Sequence, residues 1–446
     1  MNTFDSRLVG DAHRILLAGI DAVKPHHLIP RKVKLEKGIL SIGNKNLDLK
    51  SYKNIYVIGA GKASAAMALE LEKILGDRIS GGTVSTKYGH FVHCNRIKVA
   101  ESGHPVIDQN GLNVSEEMFK LALNAGKDDL VICVLSGGGS ALLERLPSGI
   151  ELMDLQQVFE ILLRCGANIE EANNVRRHIS KIKGGQLARA IFPATCVTII
   201  LSDVIGDPLE SIASGPTSPD PSTFEDAMNV LAKYKIEDQI PDSILRYLKS
   251  GLERKIEDNP KPGDEIFDRV TNVILGNNLE ALNVAKHEAT ELGYNTLFLS
   301  SRIQGEAKEV AKFIVAIVQE ICANDNLIAK PSCILIGGET TVRIQGCGKG
   351  GRNQELALAS LMAMKDSSCN YIIASCGTDG TDGPTDAAGG FACREIAERS
   401  RRLALRPYEF LENNDSYNFL EKVGGLIKTG ATGTNVMDIM VALVRE

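Results

Sequence analysis

The sequence predicts an α/β protein of two domains. Three observations carry this. Continuous apolar runs of strand length recur along the chain, and several end in glycine-rich turns. Segments with apolar residues at helical spacing lie between them; strands alternating with helices build a parallel sheet covered on both faces. Residues 216 to 268 hold six of the fifteen prolines and end in a charged stretch, which marks a boundary. The expected domains are 1–250 and 265–446.

Composition narrows the classes. The chain has 446 residues, 43% hydrophobic and 24% charged, as in an ordinary globular protein. Fifty basic residues against 56 acidic ones give a net charge of −6, so neither nucleic acid nor an anionic membrane is an expected partner. No apolar run reaches the roughly 18 residues of a membrane span. The opening Met-Asn-Thr-Phe-Asp-Ser-Arg lacks the form of a signal peptide. The ten cysteines include no Cys-x-x-Cys pair. A cytoplasmic protein without disulfides or structural zinc is therefore expected. Monomer and homodimer both stay open.

The N-terminal elements follow in order. Leu8, Val9, Ala12, Leu16, Ile20 and Val23 fall at helical spacing, stopped by Pro25. Residues 33–42 alternate around Lys37-Gly38, a hairpin. Asn54-Ile-Tyr-Val-Ile-Gly-Ala-Gly-Lys-Ala-Ser64 reads as a buried strand, a tight turn and a helix continuing through Leu75. Backbone N–H groups and a positive helix end suit an anion there, and Lys62 adds a full charge. Alternatively, Gly59 and Gly61 serve turn geometry alone. Both standard phosphate motifs fail. The P-loop, G-x-x-x-x-G-K-S/T, meets Tyr56 at its first glycine and Ala63 after the lysine. The dinucleotide fingerprint, G-x-G-x-x-G, meets Ser64 at its third glycine, and the next strand, 82–86, ends in Lys87 rather than an acid.

Further strands are expected at 97–101, 130–135 and 196–201, with helices at 110–125, 151–165 and 170–191. The strand at 130–135 runs into Ser136-Gly137-Gly138-Gly139-Ser140 and then a helix. Three glycines remove side chains where something approaches the backbone, a stronger anion-loop signal than the first. Arg176, Arg177, His178, Lys181 and Lys183 form either a solvated face or a cationic wall for an anionic substrate. Asp203 follows the strand 196–201, at the strand end where doubly wound sheets place ligands.

The second half restarts with strand 272–276, helix 278–292, strand 296–299, helix 305–322 and strand 333–336. Four glycines (346, 348, 350, 351) with Lys349 and Arg352 then precede an apolar-periodic helix. A flexible basic loop at a helix N-terminus is a cradle for a polyanion, and the fork of Arg352 suits phosphate or carboxylate. The alternative is a mobile hairpin loop. A strand from Tyr371 ends in Asp379, Asp382 and Asp386. The EF-hand pattern fails, because Gly390 stands where the bidentate glutamate belongs; carboxylates beside hydroxyls fit Mg²⁺. Asx-turns are the competing explanation. A final strand spans 436–444. Glycine loops, isolated cations and strand-end aspartates are together the parts of phosphoryl transfer.

At this level of detail the sequence resembles the class II glycerate kinases, whose C-terminal part is the MOFRL domain. The matching stretches run in order along nearly the whole chain. They include Gly59-Ala-Gly-Lys-Ala63, Thr86-Lys-Tyr-Gly-His90, Glu101-Ser-Gly-His-Pro105, Leu135-Ser-Gly-Gly-Gly-Ser-Ala141 and Asn174-Val-Arg-Arg-His178. They continue with Lys183-Gly-Gly185, Ser202-Asp-Val-Ile-Gly-Asp207, Ser214-Gly-Pro-Thr217, Gly337-Gly-Glu-Thr-Thr341, Gly350-Gly-Arg-Asn-Gln-Glu355 and Gly377-Thr-Asp-Gly-Thr-Asp-Gly-Pro-Thr-Asp386. The resemblance implies an N-terminal Rossmann-like domain, a C-terminal mixed-sheet domain and an active-site cleft between them. It implies ATP-dependent phosphorylation of D-glycerate with Mg²⁺, most readily to 2-phosphoglycerate. Lys62 and Arg352 would be catalytic, with Asp203 to orient or deprotonate the attacking hydroxyl. Gly59, Gly61, Ser136, Gly137, Gly138, Gly139, Ser140, Glu339, Gly350, Gly351 and Asn353 would bind substrate or nucleotide. Asp379, Asp382 and Asp386 would hold Mg²⁺. A hydroxypyruvate reductase and a non-catalytic nucleotide-binding protein are the rival readings.

Overall fold

The strand Ile55–Ala60 sits third in a six-stranded sheet, in the order Lys98–Ser102, Gly81–Lys87, Ile55–Ala60, Leu130–Ser136, Thr195–Leu201 and Val270–Gly276. The first five run parallel. The coordinates are a computed structural model describing residues 6–324, 327–364 and 369–445, and all counts refer to these. Leu130–Ser136 is buried at every position, as a strand covered on both faces must be. Helices Gln109–Asn124 and Gln186–Ile191 cover one face, where Val114, Met118 and Leu187 meet Ile58, Val131 and Cys133. Helix Ser64–Leu75 packs on three of the strands without joining that core, so it covers the other face. The expected hairpin forms, with Lys37 and Gly38 at positive φ (50° and 87°), and a third strand, Lys45–Asp48, extends it.

Two compact units emerge, Leu28–Leu275 and Met1–His27 with Gly276–Glu446. The division differs from the expected 1–250 and 265–446. Helix Ser6–Ala22 packs on helix Asn278–Glu291 and on strands Asp438–Arg445 and Asn370–Gly377. Leu8, Ile15, Leu16 and Ile20 are buried. Burial of each is worth about 1.5–3 kcal/mol, whereas the exposed Arg14–Glu288 pair contributes about 0–1 kcal/mol. Apolar packing therefore decides where this helix belongs. Tyr294 adds a polar tie, donating to Asp11 Oδ2 at 2.8 Å while accepting from Arg445 Nε at 2.9 Å.

The second unit holds the other six-stranded sheet, ordered Asn295–Ile303, Ser332–Gly338, Asp438–Arg445, Asn370–Gly377, Gly389–Cys393, Leu426–Ile427. The first pair is parallel, joined through helix Ala307–Asn324; the remaining pairings are antiparallel. The sheet is thus mixed, and the last strand lies inside it.

Two expected helices change. The helix expected over 170–191 splits into Ile169–His178 and Gln186–Ile191, because Gly184 and Gly185 take positive φ (54° and 81°). The helix after Ser136–Ser140 spans only Gly139–Leu142. No helix among the described residues is long and apolar enough to cross a membrane.

Candidate functional site

In the unit Leu28–Leu275, the Gly59–Lys62 turn is built for close strand approach. A Cβ on Gly59 would lie 1.9 Å from Val134 O, and one on Gly61 2.2 Å from Ser136 Oγ. The turn's amides are already used. Gly61 N donates to Ser85 O (3.2 Å), Lys62 N to Gly137 O (2.8 Å) and Ser64 N to Gly61 O (3.1 Å). Ala63 N donates to Ser136 Oγ (2.9 Å). Gly59, Gly61 and Ser136, expected at a ligand, also position the strand ends: the two glycines allow the close approach and the Ser136 hydroxyl accepts from Ala63 N. Helix Ser64–Leu75 starts two residues after Lys62. Lys62 O accepts from Thr86 Oγ1 (3.3 Å) and His90 Nδ1 (3.2 Å), so its main chain is held from both sides.

The Gly137–Ser140 loop lies beside it. Gly138 is left-handed (φ 79°), and a Cβ there would sit 2.7 Å from His104 Nε2 and 3.4 Å from Lys62 Cγ. A Cβ on Gly139 would meet Ala213 Cβ at 2.7 Å. Two of the three glycines thus admit neighbouring side chains. The amides of Gly138, Gly139 and Ser140 appear in none of the turn and loop bonds of the described residues, and Gly139 opens a short helical turn. His104 is held neutral, its pKa pushed down to about 4 by burial and by Lys62, Lys87 and His90. Lys62 and Lys87 therefore supply the positive charge at this loop, beside His104 and His90, whose imidazoles burial pushes toward the neutral form. Arg176 adds to it, its Nη2 3.5 Å from Ser140 O and its guanidinium 4.3 Å from the centre of the Phe159 ring.

Three other basic residues of that segment are structural. Arg177 pairs with buried Asp220 at 3.0 Å, His178 with Asp258 at 3.1 Å, and fully buried Lys183 with Glu144. Neither a solvated face nor a continuous cationic wall describes these three. We expect Gly138→Ala to destabilise by about 1–3 kcal/mol through collision with His104, read by urea unfolding; an unchanged midpoint would contradict this packing.

In the unit Met1–His27 with Gly276–Glu446, Arg352 is the first residue of helix Arg352–Ala363. Its Nε and Nη2 grip Asp438 (2.6 and 2.9 Å), and its Nη1 meets Glu339 at 2.9 Å. Burial opposes the guanidinium's charge, yet Asp438 and Glu339 hold its pKa above the ordinary value. Asp438 is fully buried, and that burial pushes its carboxyl up against the pull of Arg352.

The expected polyanion cradle is filled by the protein itself. Gln345 N and Gly346 N donate to Asn414 Oδ1, Cys347 N to Asn413 Oδ1 and Lys349 N to Asp415 Oδ1, at 2.8–3.1 Å. A Cβ on Gly350 would strike Ser416 Oγ, and one on Gly351 would strike Asp382. The helix N-terminus holds Asp382, whose carboxylate accepts from Asn353 N (3.1 Å) and Gln354 N (2.8 Å). Asn353 is buried and also donates to Asp438 at 3.0 Å. Gly350, Gly351 and Asn353, expected at a ligand, also pack and position the start of this helix.

The three aspartates do not gather as a metal triad. Asp382 is committed to the helix amides, and burial raises its pKa to about 6. Asp386 faces Tyr417 (2.6 Å) and Lys428 (2.9 Å), whose hydrogen bonds lower it to about 2. Asp379, partly exposed, accepts from Thr381 N at 3.0 Å, which is the Asx-turn alternative realised. Among the described residues no group of three or more His, Cys, Asp or Glu is arranged to hold a metal ion. As a donor for a hard cation that takes one or two carboxylates, Asp379 fits; Asp382 and Asp386 do not.

Residues 11–249 match the model of a domain of unknown function (DUF4147), and residues 332–438 match the MOFRL family. A glycerate 2-kinase from Pyrococcus horikoshii is 40% identical, with 98% of this chain and 96% of that one covered. The crystal structure of a glycerate kinase from Thermotoga maritima superposes with a TM-score of 0.87 at 38% identity, covering 98% of this chain and all of that one. The chain belongs to the class II glycerate kinases. The name hydroxypyruvate reductase is carried by a relative from Agrobacterium vitis, 40% identical over 87% of this chain and 86% of that one.

Within this family frame, Asp203 lies two residues past strand Thr195–Leu201 and is partly exposed. Reasoning from sequence missed His104 and Asp438. Asp438 had a signal: an acid inside the apolar run 436–444 needs a buried partner.

Proposed function

We propose that the protein phosphorylates D-glycerate with ATP and Mg²⁺, forming 2-phosphoglycerate. The observation that carries this is the pair of cations Lys62 and Lys87, with the neutral imidazole of His104 between them and the Gly138–Ser140 loop. Cations beside a glycine-rich loop suit a transferring phosphoryl group, whose chemistry needs positioning and charge stabilisation.

In this reading Lys62 binds the glycerate carboxylate or the phosphoryl group, and the amides of Gly138, Gly139 and Ser140 hold the same anion. Arg352, oriented by Asp438 and Glu339, stabilises charge on the phosphoryl group in the transition state. Asp203 orients the attacking hydroxyl and takes its proton. Mg²⁺, when bound, neutralises charge on the nucleotide's phosphate oxygens, with Asp379 as the protein carboxylate. The reductase reading loses support at residues 61–64, whose amides are consumed within the protein and cannot receive a pyrophosphate.

The test is one assay. Purified protein with D-glycerate, ATP and Mg²⁺ should release ADP only when glycerate is present, and should not oxidise NADH or NADPH with hydroxypyruvate. Glycerate-independent ATP use, or reductase activity without ADP release, would overturn the proposal.

A further inference from the structure

The segment after Asp203 carries an unusual turn. Ala213, Ser214 and Gly215 take left-handed φ in succession (51°, 61° and 63°). Only the third is glycine, so two ordinary residues sit in a region that L side chains avoid. Such strain persists only where the surroundings impose it, and it clusters at functional sites.

The surroundings can be named. Gly184 N donates to Ser214 O at 3.0 Å, and Gly185 N to Gly215 O at 2.7 Å. The preceding Lys183 is fully buried; its Nζ donates to Leu143 O at 3.0 Å and pairs with Glu144. One short segment therefore braces both the left-handed turn and the far end of the helical turn that opens at Gly139. Where the two meet, Ala213 packs on Gly139, and the hydroxyls of Ser214 and Ser140 lie 2.9 Å apart. Ser214 is fully buried, whereas Ser140 is partly exposed.

We propose that Ser214 is a positioning residue: its buried hydroxyl aims the Ser140 hydroxyl at the anion bound by the Gly138–Ser140 loop, and the strained turn is retained for that purpose. This rests on the anion-loop reading above. A purely structural serine at φ 61° would be better replaced by glycine, which takes this conformation without strain.

Two variants test it. Ser214→Ala removes the hydroxyl and keeps the strain; Ser214→Gly removes both. Both should raise KM for D-glycerate and weaken inorganic phosphate binding, measured by titration calorimetry, about 5- to 10-fold, the worth of one hydrogen bond. Turnover at saturation should stay within about twofold. Ser214→Gly should melt about 1–3 °C above Ser214→Ala. If both variants fold and keep wild-type KM and phosphate affinity, the proposal is wrong. If the wild type lacks glycerate-dependent turnover but binds phosphate, the kinase reading falls and the phosphate arm still decides the role of Ser214. If the wild type binds no phosphate, the anion loop and this proposal fall together.

Discussion

Replacing Lys62 by methionine will lower glycerate-dependent turnover by about 100- to 1000-fold, the usual loss when one charge-stabilising donor is removed. The thermal midpoint will stay within about 2 °C. The reason for the contrast is local. The turn is held by main-chain bonds from Lys62 N and to Lys62 O, which methionine leaves in place. The substitution also has a signature at His104. Burial and the neighbouring Lys62, Lys87 and His90 hold that imidazole at about 4, below its ordinary value of about 6.5. Between these values the unfolded chain takes up a proton that the folded protein refuses, so wild-type stability falls as pH drops from about 6.5 toward 4. Methionine at position 62 removes one of the charges that depress His104, so the variant will lose less stability on acidification. Urea unfolding at pH 7 and at about pH 4, where the folded imidazole itself titrates, reads this directly; an equal acid loss in both proteins would separate His104 from Lys62.

The second large effect lies at Arg352. Arg352→Ala will destabilise the protein by about 3–5 kcal/mol, because Asp438 is left as a fully buried carboxylate without its guanidinium. Arg352→Lys will not repair this, since a point charge cannot bridge both oxygens of Asp438 and also reach Glu339. The paired change Arg352→Gln with Asp438→Asn removes both charges and should recover at least about half of the lost stability, while turnover stays at least about 100-fold down. Recovered turnover in the double variant would mean that Arg352 matters only as the partner of Asp438.

These two residues show how far a sequence carries. Strand ends, glycine turns and isolated cations are local patterns, and the apolar runs place nearly every sheet strand correctly. The availability of an amide is not local. Residues 61–64 look like an anion site until Ser85, Ser136 and Gly137 arrive from other strands to use their N–H groups. The loop 345–349 looks like a cradle until Asn413, Asn414 and Asp415 fill it. The N-terminus of the helix at Arg352 does bind an anion, as its position promises, but the anion is Asp382. Helix Ser6–Ala22 is legible as a helix, yet nothing near it in sequence reveals a partner more than 250 residues away. Lys62 and Arg352 stood out because a charge next to a glycine turn needs no distant information to be noticed. Asp438 and His104 needed the fold.

The position of the transferred phosphate tests the central proposal most directly. Protein, D-glycerate, ATP and Mg²⁺ should give a new ³¹P signal split by a single proton, the mark of a phosphate on the 2-oxygen. A signal split by two equivalent protons, from phosphate on the 3-oxygen, or no phosphoglycerate signal from active, folded protein, would contradict it.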